Sequence, residues 1–156
     1  MADIVIEKII DADIPPVKEL LRQYLAWLNI DLSFQNIEEE LAGFPGKYKE
    51  PDGIFFTARL NNEIAGCIGL RKIDGETCEM KRLFVKDEYK GKGLGKALAE
   101  RLIQEAKKLN YSKMRLDTLP HMTAAQKLYK ELGFYEIEQY VENPVPGAIF
   151  MEKELT

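Results

Sequence analysis

The stretch Met80-Lys81-Arg82-Leu83-Phe84-Val85-Lys86-Asp87-Glu88-Tyr89-Lys90-Gly91-Lys92-Gly93-Leu94-Gly95-Lys96-Ala97 decides how this chain is read. Its first part is apolar and β-forming. Its end opens an amphipathic pattern in which Leu94, Leu98, Leu102, Ala106 and Leu109 recur at helical spacing. Three glycines at alternate positions, Gly91, Gly93 and Gly95, join the two. Glycine leaves the backbone bare, so amide groups can approach a ligand closely. The first four N–H groups of the helix lack partners and carry partial positive charge. A strand that passes through such a turn into a helix suits a pyrophosphate. Lys90, Lys92 and Lys96 add positive charge in a chain whose formal net charge is -4.

The spacing discriminates between nucleotides. A Walker A loop needs GxxxxGK[ST], and a dinucleotide fold needs GxGxxG after the first strand of a βαβ unit. This chain has GxGxG after an antiparallel meander, which favours neither ATP nor NAD. The competing reading is a lysine-rich surface turn without a ligand.

Outward from the turn, Thr77 to Val85 is a strand. It is preceded by two apolar runs, Ile54 to Leu60 and Glu63 to Arg71, separated by Asn61-Asn62, a hairpin signal. Asp74-Gly75 marks the next turn, so three strands form an antiparallel meander. Upstream, Ile4 to Ile10 alternates as a strand. Asp13 is expected to cap a helix that starts near Pro15 and Pro16 and carries Val17, Leu20, Leu21, Tyr24 and Leu28 on one face. A short helix covers Ile37 to Leu41, and Gly43 to Gly53 is a loop. Downstream come a strand, Lys113 to Thr118, and a helix, Thr123 to Leu132, with Gly133 at C′. Tyr135 to Tyr140 and Ala148 to Leu155 form a closing hairpin. The fold class is α+β: a mixed, mostly antiparallel six- to seven-stranded sheet with about four helices on its two faces. With no linker or repeat, the 156 residues read as one domain, 1–156.

Composition narrows the function classes. Hydrophobic residues make up 46% and charged residues 31%, as in a folded soluble domain. The acidic balance disfavours nucleic acid. Neither a signal peptide nor a membrane span is expected, so the default location is the cytoplasm. Cys67 and Cys78 sit in strand-like segments and read as reduced core residues, and with His121 they give no zinc spacing. No metal is expected.

At this point the residues resemble a family. Lys90, Gly93 and Gly95 stand where the acetyl-CoA signature of the GNAT superfamily has Gln or Arg, two residues, Gly, one residue, then Gly or Ala. Ala125-Gln126-Lys127-Leu128-Tyr129-Lys130-Glu131-Leu132-Gly133-Phe134 looks like the family's A-x-x-L-Y-x-x-x-G-F. Two departures stand out: Lys90 replaces Gln/Arg, and Met122 stands seven residues before Tyr129, where members often have Asn. The resemblance implies an N-acetyltransferase that moves an acetyl group from acetyl-CoA to a primary amine by direct attack. It also implies a bulged strand splayed from its neighbour. Leu83, Phe84 and Val85 would then hold the pantetheine arm, and Lys90, Gly91, Lys92, Gly93, Leu94, Gly95 and Lys96 the pyrophosphate.

Single residues keep two readings each. Tyr129 is either a core residue or, as the resemblance implies, the acid that protonates the departing thiolate. Glu79 either pairs with Lys81 or Arg82, or is the general base found at this offset in the histone acetyltransferases of the superfamily. An apolar wall, from Met80 and Cys78 neighbours or from the opposed strand, would suit that second role. Arg82 and Lys81 either reach an acidic acceptor or are solvated. Asp117 binds an amine or caps a turn, and His121 is near the mouth of the splay or simply on the surface. Tyr24, Trp27 and Phe34 line an acceptor pocket or the core. The acceptor is a small-molecule amine or a peptide or protein amine, no nucleic-acid or membrane partner is expected, and dimers are common in the family, so a homodimer is compatible. The competing function is an acyl-CoA sensor with the same fold and no catalysis.

Overall fold

The computed structural model describes residues 3–28 and 37–155. Strands β1 (Ile4–Lys8), β2 (Ile54–Leu60), β3 (Glu63–Lys72), β4 (Thr77–Val85), β5 (Lys113–Thr118), β6 (Tyr135–Ile137) and β7 (Ile149–Glu154) form one sheet in the order β1-β2-β3-β4-β5-β7-β6. Every neighbouring pair is antiparallel except β4 and β5. Helices α1 (Ile14–Leu28) and α2 (Ile37–Ala42) cover one face, and α3 (Leu94–Lys108) and α4 (Thr123–Glu131) cover the other. Phe34 lies outside the described residues. Among the described residues no helix is long and apolar enough to cross a membrane. Cys67 and Cys78 are both buried and free.

The meander turns form as their sequences require. Asn61 and Asn62 both take positive φ, 53° and 68°, the backbone of a two-residue hairpin turn. Asp74 closes the next turn by accepting from the amides of Glu76 and Thr77. Three differences from the sequence reading have local causes. β1 stops at Lys8, because the Asp13 carboxylate folds back to accept from the Ile10 amide and from Arg59 instead of capping α1. β6 stops at Ile137, because the chain leaves the sheet and carries Tyr140 over to β4. The loop 43–53 contains a short 3-10 turn, Gly46–Tyr48, whose Tyr48 ring packs edge-on against Phe55.

The decisive irregularity is in β4. Cys78 and Met80 point into the α3/α4 core, and a regular strand would continue with residue 82. Instead Leu83 and Val85 pack on that core, Phe84 packs on the α1 side, and Lys81 and Arg82 share the α1 side. The ladder records the extra residue: Gly69 faces Lys81, yet Cys67 faces Phe84. Arg82 takes φ 60°, a left-handed backbone at a non-glycine residue. β4 is therefore bulged. Its parallel pairing with β5 ends at Glu79–Arg115, while β4 runs on to Val85 and β5 to Thr118. The two strands splay apart.

Gly66 sits opposite this bulge, and a Cβ built there would lie 2.7 Å from the Phe84 carbonyl oxygen. Gly66→Ala is expected to destabilise the protein by about 1–3 kcal/mol, the range for forcing bulk into a packed site. Denaturant midpoints measure it, and an unchanged midpoint would show that the bulge can shift freely.

Candidate active site

A cleft of about 410 Å³ opens where β4 leaves β5. Leu83, Phe84 and Val85 form one wall. Lys90, Gly91, Gly93, Leu94 and Gly95 close one end, and the start of α4 forms the other wall. Gly91 and Gly93 have φ of 81° and 82°, a conformation that side chains rarely adopt. Nothing lies within 4 Å of a Cβ built at either, so the backbone here is open. Gly93 is the residue just before α3, and the free amides of the first helical turn follow it. Lys92 and Lys96 are exposed and outside the lining. The Lys90 ammonium pairs with Asp87 at 2.7 Å and lies 4.5 Å from the ring centre of Trp27, the chain's one tryptophan. Trp27 lines this cleft and not the pocket expected for it. His121 also lines this cleft.

A second, polar cavity lies beside it, on the α1 side. Tyr24, Lys81, Arg82, Asp117 and Asn143 contribute its polar groups. Lys81 Nζ is 3.3 Å from Asp117 Oδ1, and both side chains are 5% exposed. Asn143 Nδ2 donates to Asp117 Oδ2 at 3.1 Å. Arg82 donates twice to Glu40 of α2, at 2.8 and 2.9 Å. Burial pushes the Lys81 ammonium below its usual range. Burial also works against the charged Arg82, but its paired hydrogen bonds to Glu40 outweigh this and hold the guanidinium charged. Burial pushes the Tyr24 phenol up to about 12.

Leu83, Met122 and Tyr129 line both cavities, so the two meet there. Tyr129 is buried and packs edge-on against Phe134 at 5.9 Å. Among the described residues its hydroxyl has no hydrogen-bond partner, which leaves the O–H available at the junction. Burial raises the phenol's pKa, so it keeps its proton at neutral pH. Core packing and a place in the site are therefore not alternatives for Tyr129. Met122 occupies the same junction, where among the described residues its sulfur receives only a long contact of 3.9 Å from Thr118.

The profile of the "Acetyltransferase (GNAT) family" matches residues 16–134. An uncharacterised N-acetyltransferase of Schizosaccharomyces pombe is 41% identical over 146 residues, which cover 92% of this chain and 90% of that protein. The chain belongs to the GNAT acetyltransferase family. Among solved structures, a GNAT acetyltransferase from Staphylococcus aureus matches with a TM-score of 0.82 and 25% identity, covering 99% of this chain and 100% of that one. A GNAT acetyltransferase from Elizabethkingia anophelis, solved with acetyl-CoA bound, matches with a TM-score of 0.61 and 26% identity over 97% of each chain.

Against this GNAT frame, Glu79 stands apart from the other expected site residues. It lines neither cavity. One carboxylate oxygen accepts from Arg71 Nε at 2.9 Å, and the other accepts from the Tyr140 hydroxyl at 2.6 Å. The expected partners Lys81 and Arg82 go to Asp117 and Glu40 instead, and the wall around Glu79 is polar where an apolar one was expected. The pairing with Arg71 follows from hairpin register, since these residues face each other across β3 and β4. Counting back from Asp74-Gly75 would have found it. Asn143 and Tyr140 come from the β6–β7 loop and have no comparable signal.

Glu79 lies outside both cavities with each oxygen hydrogen-bonded, a placement that suits an anchor for Arg71 and Tyr140. Glu79→Gln keeps the shape and leaves the Arg71 guanidinium without its counter-charge. It is expected to cost about 1–3 kcal/mol of stability, the range for a buried polar group left unmatched. The variant's residual activity should follow the wild-type pH profile. Recovery of activity at high pH, where free amine is abundant, would instead mark Glu79 as the base.

Proposed function

We propose that this protein transfers an acetyl group from acetyl-CoA to the primary amine of a small acceptor by direct attack. The observation that carries this reading is the meeting of the two cavities at Tyr129. The larger cleft fits CoA: an open glycine backbone at a helix start suits the pyrophosphate, and the unpaired end of β4 suits the amide-bearing pantetheine arm. The neighbour solved with acetyl-CoA supports the same ligand. The polar cavity takes the acceptor.

Asp117 faces the acceptor and is held by Lys81 and Asn143. It receives one proton from the incoming ammonium, directly or through a water. The free amine attacks the thioester carbonyl. The C–N bond forms, the C–S bond breaks, and the thiolate takes the Tyr129 phenolic proton. The proton lost from the new amide nitrogen restores Tyr129 through water. A phenol kept protonated by burial suits that role.

Tyr129→Phe keeps the ring against Phe134 and removes the acid. We expect kcat to fall about 100-fold, the lower end for general acid catalysis because thiolates leave readily. Acetyl-CoA affinity should hardly change, and a normal kcat would return Tyr129 to packing alone. Gly93→Asp places a side chain and a negative charge at a left-handed position beside the expected phosphates. Calorimetry should find acetyl-CoA binding weakened at least tenfold, about 1.4 kcal/mol. Unchanged affinity in a folded variant would move the ligand away from the turn.

A further inference from the structure

We infer that Met122 sets the length of the acyl chain this protein accepts: its side chain stops the tail at acetyl, and a smaller residue there would admit butyryl. This rests on the acetyl-transfer reading above, which puts the thioester where the two cavities meet, and it adds what limits the donor. Leu83, Met122 and Tyr129 are the residues that line both cavities, so they wall that meeting point. With the body of CoA filling the larger cleft behind it, an acyl tail longer than acetyl has to pass these three residues into the polar cavity.

The polar cavity holds about 50 Å³, room for roughly three or four groups the size of a water. The methyl of an acetyl group and the reacting end of an amine fill it. Two further methylenes would take the place of the amine. They would also displace water from the Lys81–Asp117 pair and from Asn143, and hydrocarbon cannot replace those hydrogen bonds. Space and polarity thus act in the same direction, against a longer tail.

Of the three walls, Met122 gives way at the least cost to the fold. Tyr129 belongs to the main core, and Leu83 packs on it. Met122 is half-buried and packs on the small separate cluster of Leu28 and Leu119. Its amide donates to the Leu119 carbonyl at 3.0 Å just before α4 begins, so a fixed main chain holds the side chain at the junction. A thioether has no donor and is only a weak acceptor, so what it contributes at such a point is bulk. Alanine in its place removes three heavy atoms, more than the two carbons by which butyryl exceeds acetyl. The space opens toward Leu28, Leu119 and Val145, which are apolar and suit a hydrocarbon tail.

Calorimetry with CoA, acetyl-CoA and butyryl-CoA on the wild-type protein and on Met122→Ala tests this without an acceptor. In the wild type we expect butyryl-CoA to bind at least about tenfold more weakly than acetyl-CoA, the scale of a misfit by a methylene or two. In Met122→Ala that gap should close to within about threefold through tighter butyryl-CoA binding, with the Kd of CoA and of acetyl-CoA little changed. Met122→Val removes less bulk and should close the gap part-way, which gives the same comparison if the alanine variant does not fold. Equal binding of the two acyl-CoAs by the wild type, an undiminished gap in a folded variant, or a loss common to all three ligands would overturn the assignment, while CoA binding keeps the transferase reading standing. Absence of CoA binding by the wild type would overturn both.

Discussion

The left-handed backbone at Arg82 is the constraint on which the site depends. Holding a non-glycine residue there costs about 1–2 kcal/mol. The paired hydrogen bonds from Arg82 to Glu40 offset that cost and tie β4 to α2. The extra residue turns β4 away from β5 after Glu79, and the gap becomes the larger cleft. It also reverses the inside–outside alternation, which sends Leu83 and Val85 toward the cleft and sets Lys81 beside Arg82 on the other side. Both cavities and their meeting point at Tyr129 follow from one backbone irregularity.

The α1 side of the sheet changes character along the strand order. Over β2 and β3 it is apolar, with Phe55 and Cys67 under Val17, Leu20 and Leu21. Over β4, β5 and β7 it is built from ion pairs: Arg71–Glu79, Arg82–Glu40, Lys81–Asp117 and Arg115–Glu152. Buried charges add little net stability even when paired, but loss of one partner is expensive. Such a network contributes orientation more than stability. Tyr140 joins two of its members, since its hydroxyl meets Glu79 and its ring lies 5.4 Å from the Arg115 guanidinium. The loop after β6 is thereby fixed, and Asn143 is presented to Asp117.

Much of this was legible in the sequence where local rules govern. Ile54–Leu60, Thr77–Val85 and Lys113–Thr118 are strands with the expected limits, because turn residues or a change of period bound them. The glycine turn and the motif around Tyr129 lie on either side of one cleft. The bulge has a signal of its own: the apolar positions shift from Cys78 and Met80 to Leu83 and Val85, a slip of one residue. The ion-pair partners were less accessible. Glu79 required hairpin register, Arg82 reached a helix far away in sequence, and Tyr140 and Asn143 lie in a loop with no periodicity. Trp27 looked like an acceptor or core residue by helical spacing, and only the packing of α1 against the glycine turn brings it to the larger cleft.

The central claim is that β4, splayed by its bulge, presents CoA to a second cavity at Tyr129. A crystal structure of the protein with CoA tests it most directly. The account requires the pantetheine arm along the main chain of Leu83 and Val85, the pyrophosphate on the amides between Lys90 and Lys96, and the sulfur within hydrogen-bond reach of the Tyr129 hydroxyl. CoA bound outside the splay, or a sulfur remote from Tyr129 with the acceptor cavity closed off from it, would contradict the account.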